Sequence, residues 1–272
     1  MHKLLQPSGK EVLIGNFAIV RGALESGVGF ASTYPGTPAS EIGDSFAELA
    51  KEAGIYFEYS INEKVAAEAA AGAAFCEVRS IVSMKHFGFN VASDSILPIV
   101  YHGVKAGMVI VVADDPNCWS SGQSEQDSRY YSRMGHIPMF EPSNASECKE
   151  FVKIAFDLSE KYKIPFMIRM TTRVSHSSCL VKFGKLKKGK TTGRFTNEDK
   201  WNNMPPKILH IHEDTHKKLE ELEEWNDKSK MNFEVKGKGK FGIITTGVSY
   251  NYIMESMKKL KIIAPVLKIG FT

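Results

Sequence analysis

Pro35, Gly36, Thr37 and Pro38 lie between a β-rich run and a helical pattern, and their types suit the floor of a ligand pocket. The prolines fix their own φ and push Tyr34 and Thr37 toward extended geometry, while Gly36 lets a ligand approach the backbone closely. Ser40 reads as the cap of a helix running through Ile42, Phe46 and Leu49, so free N–H groups and the positive end of a helix dipole face the same spot. A carboxylate is favoured there; a rigid turn without a ligand is the plainer alternative on this motif alone.

Glu63 is the second candidate. It follows the run 55–59 and opens a helix rich in alanine and glycine, a composition that permits close packing with little water. A carboxylate at the mouth of such a helix is partly desolvated, which raises its pKa and lets it share a proton with a heterocycle nitrogen. The alternative is an ordinary first-turn glutamate at the favourable end of the dipole.

Strand patterns at 28–33, 55–59, 80–84, 108–113, 139–141 and 166–170 alternate with helical stretches. Apolar strands separated by helices imply an α/β fold with a parallel sheet covered on both faces, whose ligands sit at the carboxyl ends of the strands. Residues 181–240 break the pattern. They are rich in Lys and Gly at both ends, with a charged helix-like stretch at 207–230, and read as a connector. A strand at 241–245, a helix and a strand at 265–269 open a second α/β unit, which the sequence leaves at Thr272 with too few elements to cover a sheet. The expectation is the front part of a longer protein.

With 272 residues, 43% of them hydrophobic and 24% charged, the chain suffices for one large α/β domain or one domain plus part of another. A net charge of +4 is too small to argue for nucleic acid. The longest strand-like apolar run, at 108–113, falls far short of the roughly 20 residues of a membrane span. Lys3, Gln6, Ser8 and Lys10 interrupt any secretory core, so a cytoplasmic protein is expected. Cys76, Cys118, Cys148 and Cys179 form no CxxC pair, which fits free thiols in a reducing compartment, and no cluster or zinc site built from this chain alone is expected.

Two further motifs are set aside on context. Residues 184–191 satisfy the phosphate-loop pattern, but no helical stripe follows through Asp199, so no nucleotide site is expected. His210, His212 and His216 have metal-ligand spacing, but they flank Glu213 and Asp214 in the charged connector and read as a solvated face.

A resemblance joins these pieces. Gly15, Asn16, Phe17 and Ala18, the run 34–42, Asn62 to Ala66, Met84 and Lys85 with Gly88 and Asn90, the run 113–116, Glu125, Gln126 and Asp127, and Arg169 with the run 171–176 together resemble the alpha subunits of the indolepyruvate ferredoxin oxidoreductase family. The likeness is colinear over about 11–180 and resumes at Phe241. It implies a thiamine-diphosphate-binding fold in which residues 1–180 hold the cofactor's pyrimidine half, 181–240 connect, and 241–272 begin a transketolase-C-terminal-like domain. It also implies oxidative decarboxylation of an aryl 2-oxo acid to an aryl-acetyl-CoA, with electrons passed through iron–sulfur clusters to ferredoxin. On the resemblance, Glu63 matches the glutamate that bonds the pyrimidine nitrogen and promotes the imino tautomer. Thr37 matches a threonine facing the substrate carboxylate, with Gly36 and Arg129 placed beside the substrate. Pro35, Lys85, Asn90, Gln126 and Asp127 are placed around the cofactor.

The family's diphosphate and magnesium motif (Gly-Asp-Gly followed by Asn) and its CxxCxxC cysteine runs do not occur in these 272 residues. Mg2+ and 4Fe–4S clusters are therefore expected from a later part, CoA as co-substrate, and a beta subunit and ferredoxin as partners in a hetero-oligomer, with neither nucleic acid nor membrane involved. The chain alone is expected to be inactive. Another 2-oxoacid (pyruvate or 2-oxoglutarate) ferredoxin oxidoreductase subunit, or a non-catalytic binding module, stand as alternatives.

Overall fold

The computed structural model describes residues 2–120, 122–198 and 201–272. Six parallel strands form the central sheet: β2 (Phe30–Thr33), β3 (Tyr56–Tyr59), β4 (Ser80–Lys85), β5 (Met108–Asp114), β6 (Met139–Phe140) and β7 (Phe166–Thr171), in the spatial order β3-β2-β4-β5-β7-β6. These are the six runs read from the sequence. Every residue of β5 is buried, as a strand covered on both faces requires.

Helices α1 (Gly15–Glu25), α2 (Ser40–Ala53) and α6 (Ala145–Tyr162) share one apolar core; α3 (Glu63–Phe75) and α4 (His86–His102) share the other with Ile137 and Met139, beside α5 (Arg129–Gly135). The alanines of α3 do what their size predicts: Ala66, Ala67, Ala70, Ala71 and Ala74 are buried where the helix presses on the sheet and α4. Asn62 caps α3, its side-chain oxygen accepting from the Val65 N–H at 2.9 Å.

A second pairing had no local signal. β1 (Gly9–Ile14) runs antiparallel to β8 (Ser178–Phe183), which follows the short α7 (Thr172–His176), and the partners are too far apart in sequence for any turn motif to announce them. After β8 the chain has no regular secondary structure through residue 198, so no helix follows the lysine-rich loop within that stretch; residue 199 lies outside the described residues. Main chains explain the glycines there. A Cβ on Gly29 would lie 1.6 Å from the Lys190 carbonyl oxygen, and one on Gly189 would lie 2.2 Å from that of Val28.

The connector carries a long helix, α8 (Lys207–Lys228), and a strand, β9 (Phe233–Val235). β9 pairs antiparallel with β11 (Val266–Ile269), which pairs parallel with β10 (Ile243–Thr246); α9 (Ser249–Leu260) covers this small sheet with a core of Met257, Ala264 and Val266.

One ion cluster locks α1 to α6. Glu25, 3% exposed, accepts from Arg21 Nε at 2.9 Å and the Gly184 N–H at 2.6 Å, with Lys149 and Lys153 each at 3.3 Å. Burial by itself raises the carboxyl pKa, but the Arg21, Gly184 and Lys149 contacts outweigh it and hold the group below its ordinary 4.5. A carboxylate with a depressed folded pKa stabilises the fold above its unfolded value, and that contribution disappears as pH falls through the lower folded value. Glu25→Gln should therefore cost about 3–5 kcal/mol at neutral pH, the usual loss on breaking a buried pair. Urea unfolding across pH should show the gap between variant and parent closing only below pH 4.5, the carboxyl's ordinary value.

Candidate active site at the sheet's carboxyl edge

The chain runs from β2 outward to β3 and then crosses back over β2 to β4, so the strand order reverses between β2 and β4. Crevices at such switch points, outside the carboxyl ends of the strands, are where open α/β sheets place ligands. Both chemical candidates lie at carboxyl ends of strands, the turn after β2 and Glu63 after β3.

The turn 34–39 leaves β2, and Gly36 packs on the stem of Lys85 at the end of β4: a Cβ on Gly36 would stand 2.9 Å from Lys85 Cγ. Pro35 and Thr37 are exposed at the surface of the turn. Glu63, at the start of α3, lies against the first turn of α4, where a Cβ on Gly88 would be 2.4 Å from both Glu63 Cγ and Oε1. Gly88 is therefore the cradle of the glutamate. Glu63 is only 8% exposed, yet among the described residues no hydrogen bond or ion pair reaches its carboxylate. The side chain is largely covered while its carboxylate has no protein partner, so the group can accept from a donor that a ligand brings.

The anticipated cap at Ser40 is not formed. Ser40 is already helical; Ala39 occupies the cap position and supplies no side-chain bond. Asn16 from α1 organises the entry instead, donating Nδ2 to the Pro38 carbonyl at 2.8 Å and to Glu41 Oε2 at 2.6 Å. Glu41 also lies 3.3 Å from His176 Nε2. The end of α2 thus carries its own carboxylate, which complements the dipole from within the chain.

Lys85 donates to Gln123 Oε1 at 2.7 Å, and its ammonium stands 4.9 Å from the centre of the Phe87 ring. Asn90 donates to Gln126 Oε1 at 2.9 Å and accepts from the Tyr131 hydroxyl at 2.6 Å; Gln126 Nε2 donates to the His86 carbonyl at 3.1 Å. Lys85, Asn90 and Gln126 thus join α4 to the loop after β5. Asp127 and Arg129 belong to a different constellation. Arg129 Nε bridges both Glu141 oxygens at 3.0 and 3.1 Å, and its Nη1 lies 3.0 Å from Asp127. No hydrogen bond or ion pair joins Arg129 to Gly36, Thr37 or Glu63 among the described residues.

Sequence reasoning passed over His86 and gave Glu141 no chemical part. His86 is fully buried, with Nε2 3.1 Å from the Ser124 carbonyl oxygen, pinning the loop after β5 over the site. Glu141, at the end of β6, gathers Arg129, Arg169 and Thr246. Neither could be flagged from spacing, because their partners come from other strands. The solvated face read for the three histidines holds for the exposed His210 and His216, while His212 is half-buried, and two of the three gather on a residue that the sequence did not connect to them. His212 and His216 lie against His136 at the end of α5, with ring centres 5.5 and 5.0 Å from it.

Residues 21–232 match the family described as pyruvate flavodoxin/ferredoxin oxidoreductase, thiamine diP-binding. The chain belongs to that family. It is 47% identical over 263 residues to indolepyruvate oxidoreductase subunit IorA of Methanothermobacter marburgensis, covering 96% of this chain and 42% of that protein. Identity to the subunit of the same name from Thermococcus kodakarensis is 43% over 273 residues, covering 97% and 42%. The 2-oxoglutarate synthase subunit KorA of Methanothermobacter thermautotrophicus is more distant, at 29% over 167 residues, covering 60% and 44%. The chain therefore spans less than half the length of these relatives. Among solved structures, a 2-oxoglutarate:ferredoxin oxidoreductase from Magnetococcus marinus superposes with a TM-score of 0.78 at 17% identity, covering 97% of this chain and 54% of that one, and so shares its fold.

The placement of Glu63 against Gly88 has a steric test. Gly88→Ala adds a methyl group where Glu63 now lies, while alanine in place of glycine favours the helix itself. Thermal unfolding should change little, whereas a crystal structure of the variant should show the Glu63 side chain displaced from the start of α4; an unmoved Glu63 would contradict the close packing of the two residues.

Proposed function

We propose that this chain is the N-terminal part of the alpha subunit of an indolepyruvate ferredoxin oxidoreductase. In this reading the assembled enzyme converts an aryl 2-oxo acid, CoA and oxidised ferredoxin into an aryl-acetyl-CoA, CO2 and reduced ferredoxin. The observation that carries it is the contrast in likeness: 47% identity across nearly the whole chain to an indolepyruvate oxidoreductase subunit, against 29% over 60% of it to a 2-oxoglutarate synthase subunit.

The residues present fit the pyrimidine half of thiamine diphosphate, because the largely covered Glu63 has a carboxylate without a protein partner, and Gly88 leaves space for that side chain at the start of α4. When bound, the cofactor supplies the stabilisation of negative charge that decarboxylation of a 2-oxo acid needs. Glu63 holds the proton shared with the ring nitrogen, a role for which a buried carboxyl is suited. Pro35 and Lys85 wall the mouth from the β2 and β4 sides, and Asn90 and Gln126 keep the loop after β5 closed over it. Gly36 and Thr37 offer a backbone surface and a hydroxyl to the substrate's carboxylate. Arg129, already held by Glu141 and Asp127, acts in this reading as a positioning residue for Asp127.

Mg2+ and the 4Fe–4S clusters come, in this reading, from the later part of the protein, and a beta subunit and ferredoxin complete a hetero-oligomer. A cytoplasmic location agrees with four free cysteines, and no helix among the described residues is long and apolar enough to cross a membrane.

Ferredoxin reduction by the reconstituted enzyme should be fastest with indolepyruvate and much slower with pyruvate or 2-oxoglutarate; a preference for either of the latter rejects the substrate assignment. Glu63→Gln keeps the side-chain shape and should lower activity by about 10²- to 10⁴-fold, the range for loss of general acid–base assistance. Hydrogen exchange at the thiazolium carbon, followed by NMR, reads the same step directly. Unchanged exchange in the variant removes Glu63 from the mechanism.

A further inference from the structure

His136, His212 and His216 are brought together from distant parts of the chain. His136 ends α5 in a left-handed conformation, φ 55° and ψ 36°, which turns the chain into β6. His212 and His216 are four residues apart on α8 and therefore share one face of that helix. Their Nε2 atoms are 3.0 Å apart and their ring centres 4.5 Å. One ring nitrogen from each of the three histidines lies within 4.8 Å of the others.

We propose that these three histidines form a binding site for a zinc-class divalent cation that pins the connector helix α8 to α5. The inference is independent of the 2-oxoacid reading. Neutral imidazole is the preferred nitrogen ligand of Zn2+, and three such nitrogens with one open position make a tetrahedral site. Zinc–nitrogen bonds of about 2.0–2.1 Å place ligand nitrogens roughly 3.4 Å apart, so the His212–His216 pair at 3.0 Å needs to open only slightly and His136, within 4.8 Å of them, to close in by up to about 1.4 Å.

Independent observations agree. The Nδ1 of His136 is buried with no hydrogen-bond partner among the described residues, a deficit that a cation relieves. The cluster also borders a cavity of about 790 Å³, lined among others by Arg129, Ser132, Leu219 and Glu223, which leaves access for a water as fourth ligand.

The order His212, Glu213, Asp214, Thr215, His216 has the letters of the helical zinc-protease motif, in which the glutamate acts as general base. That role does not transfer. Glu213 is exposed and faces His210, with a carboxylate oxygen 3.7 Å from its Nδ1, so the segment supplies two ligands without the base. The site therefore acts structurally, holding α8 against the helix whose first residue, Arg129, enters the ion network at the carboxyl edge.

The test measures zinc on the full protein in its native assembly, dialysed against zinc-buffered solutions, with metal per chain counted by mass spectrometry. Occupancy attributable to this site should be one Zn2+ per chain. Its affinity should fall at least on the order of 10²-fold in His136→Ala and in His216→Ala, and stay unchanged in His210→Ala. Zinc-edge X-ray absorption should show nitrogen and oxygen ligands with imidazole scattering; because it reads the parent protein, it decides the matter even if a variant fails to fold. Absence of zinc above background, affinity indifferent to His136→Ala, or a sulfur-ligated absorption spectrum would overturn the proposal.

Discussion

A buried guanidinium governs the carboxyl edge of the sheet. Arg169, on β7 and 6% exposed, donates Nε to Asp114 at the end of β5 at 2.6 Å, pairs through Nη1 with Glu141 at the end of β6, and lies 3.5 Å from Asp127. Removing a charge from water is expensive, and burial alone lowers an arginine's pKa; Asp114, Glu141 and Asp127 reverse the effect and hold it above the ordinary value. The carboxylates depend on Arg169 in turn. Asp114 also accepts from the Ser128 N–H at 2.9 Å, which anchors the segment carrying Gln126 and Asp127. Thr246, at the end of β10, donates to Glu141 at 2.8 Å, so the small sheet is seated on the same network.

Much of this architecture was legible in the sequence, for a local reason. Strands of an all-parallel sheet are buried on both faces, so they appear as continuous apolar runs between helices, and 108–113 carries that signal without any partner being known. The turn at Pro35 to Pro38 was legible because proline and glycine restrict or release the backbone on their own. What stayed hidden was pairing at a distance. β1 and β8 meet through a register that no turn dictates, and Asn16 takes over the organising role at α2 that Ser40 was expected to play. His136 carries no hint in its own neighbourhood that two histidines of α8 will reach it. Spacing within a helix reveals a pair; it does not reveal the third member supplied by another element.

Topology explains why Glu63 is covered where it stands. Strand β3 lies at the sheet's edge, and the helix after it must cross back to reach β4, so α3 runs over β2 and packs on α4. A glutamate at its first position consequently faces the start of α4 rather than solvent. The side chains along the helix must be small for that crossing to be close, and the alanines of α3 supply the fit. Gly88 completes it, since any larger residue would occupy the volume of the carboxylate. The catalytic candidate and the composition of its helix are one feature: close packing buries Glu63, and burial without a protein partner leaves it available to a ligand.

The charge balance of the crevice follows from the same geometry. The N-terminus of α2 was the expected seat for an anionic ligand, but Glu41 stands in its first turn and is fixed by Asn16. A second anion placed there would meet a like charge, which offsets the attraction of the dipole. Lys85 is better situated. Its stem packs on Gly36, while its ammonium has neutral partners, the Gln123 amide oxygen and the Phe87 ring. An anion entering the mouth between β2 and β4 can therefore draw on this cation without breaking an ion pair, whereas recruiting Arg129 would break its pairings with Glu141 and Asp127. The electrostatics favour the lysine at the end of β4, with the proline-flanked turn acting as a wall that fixes where its stem lies.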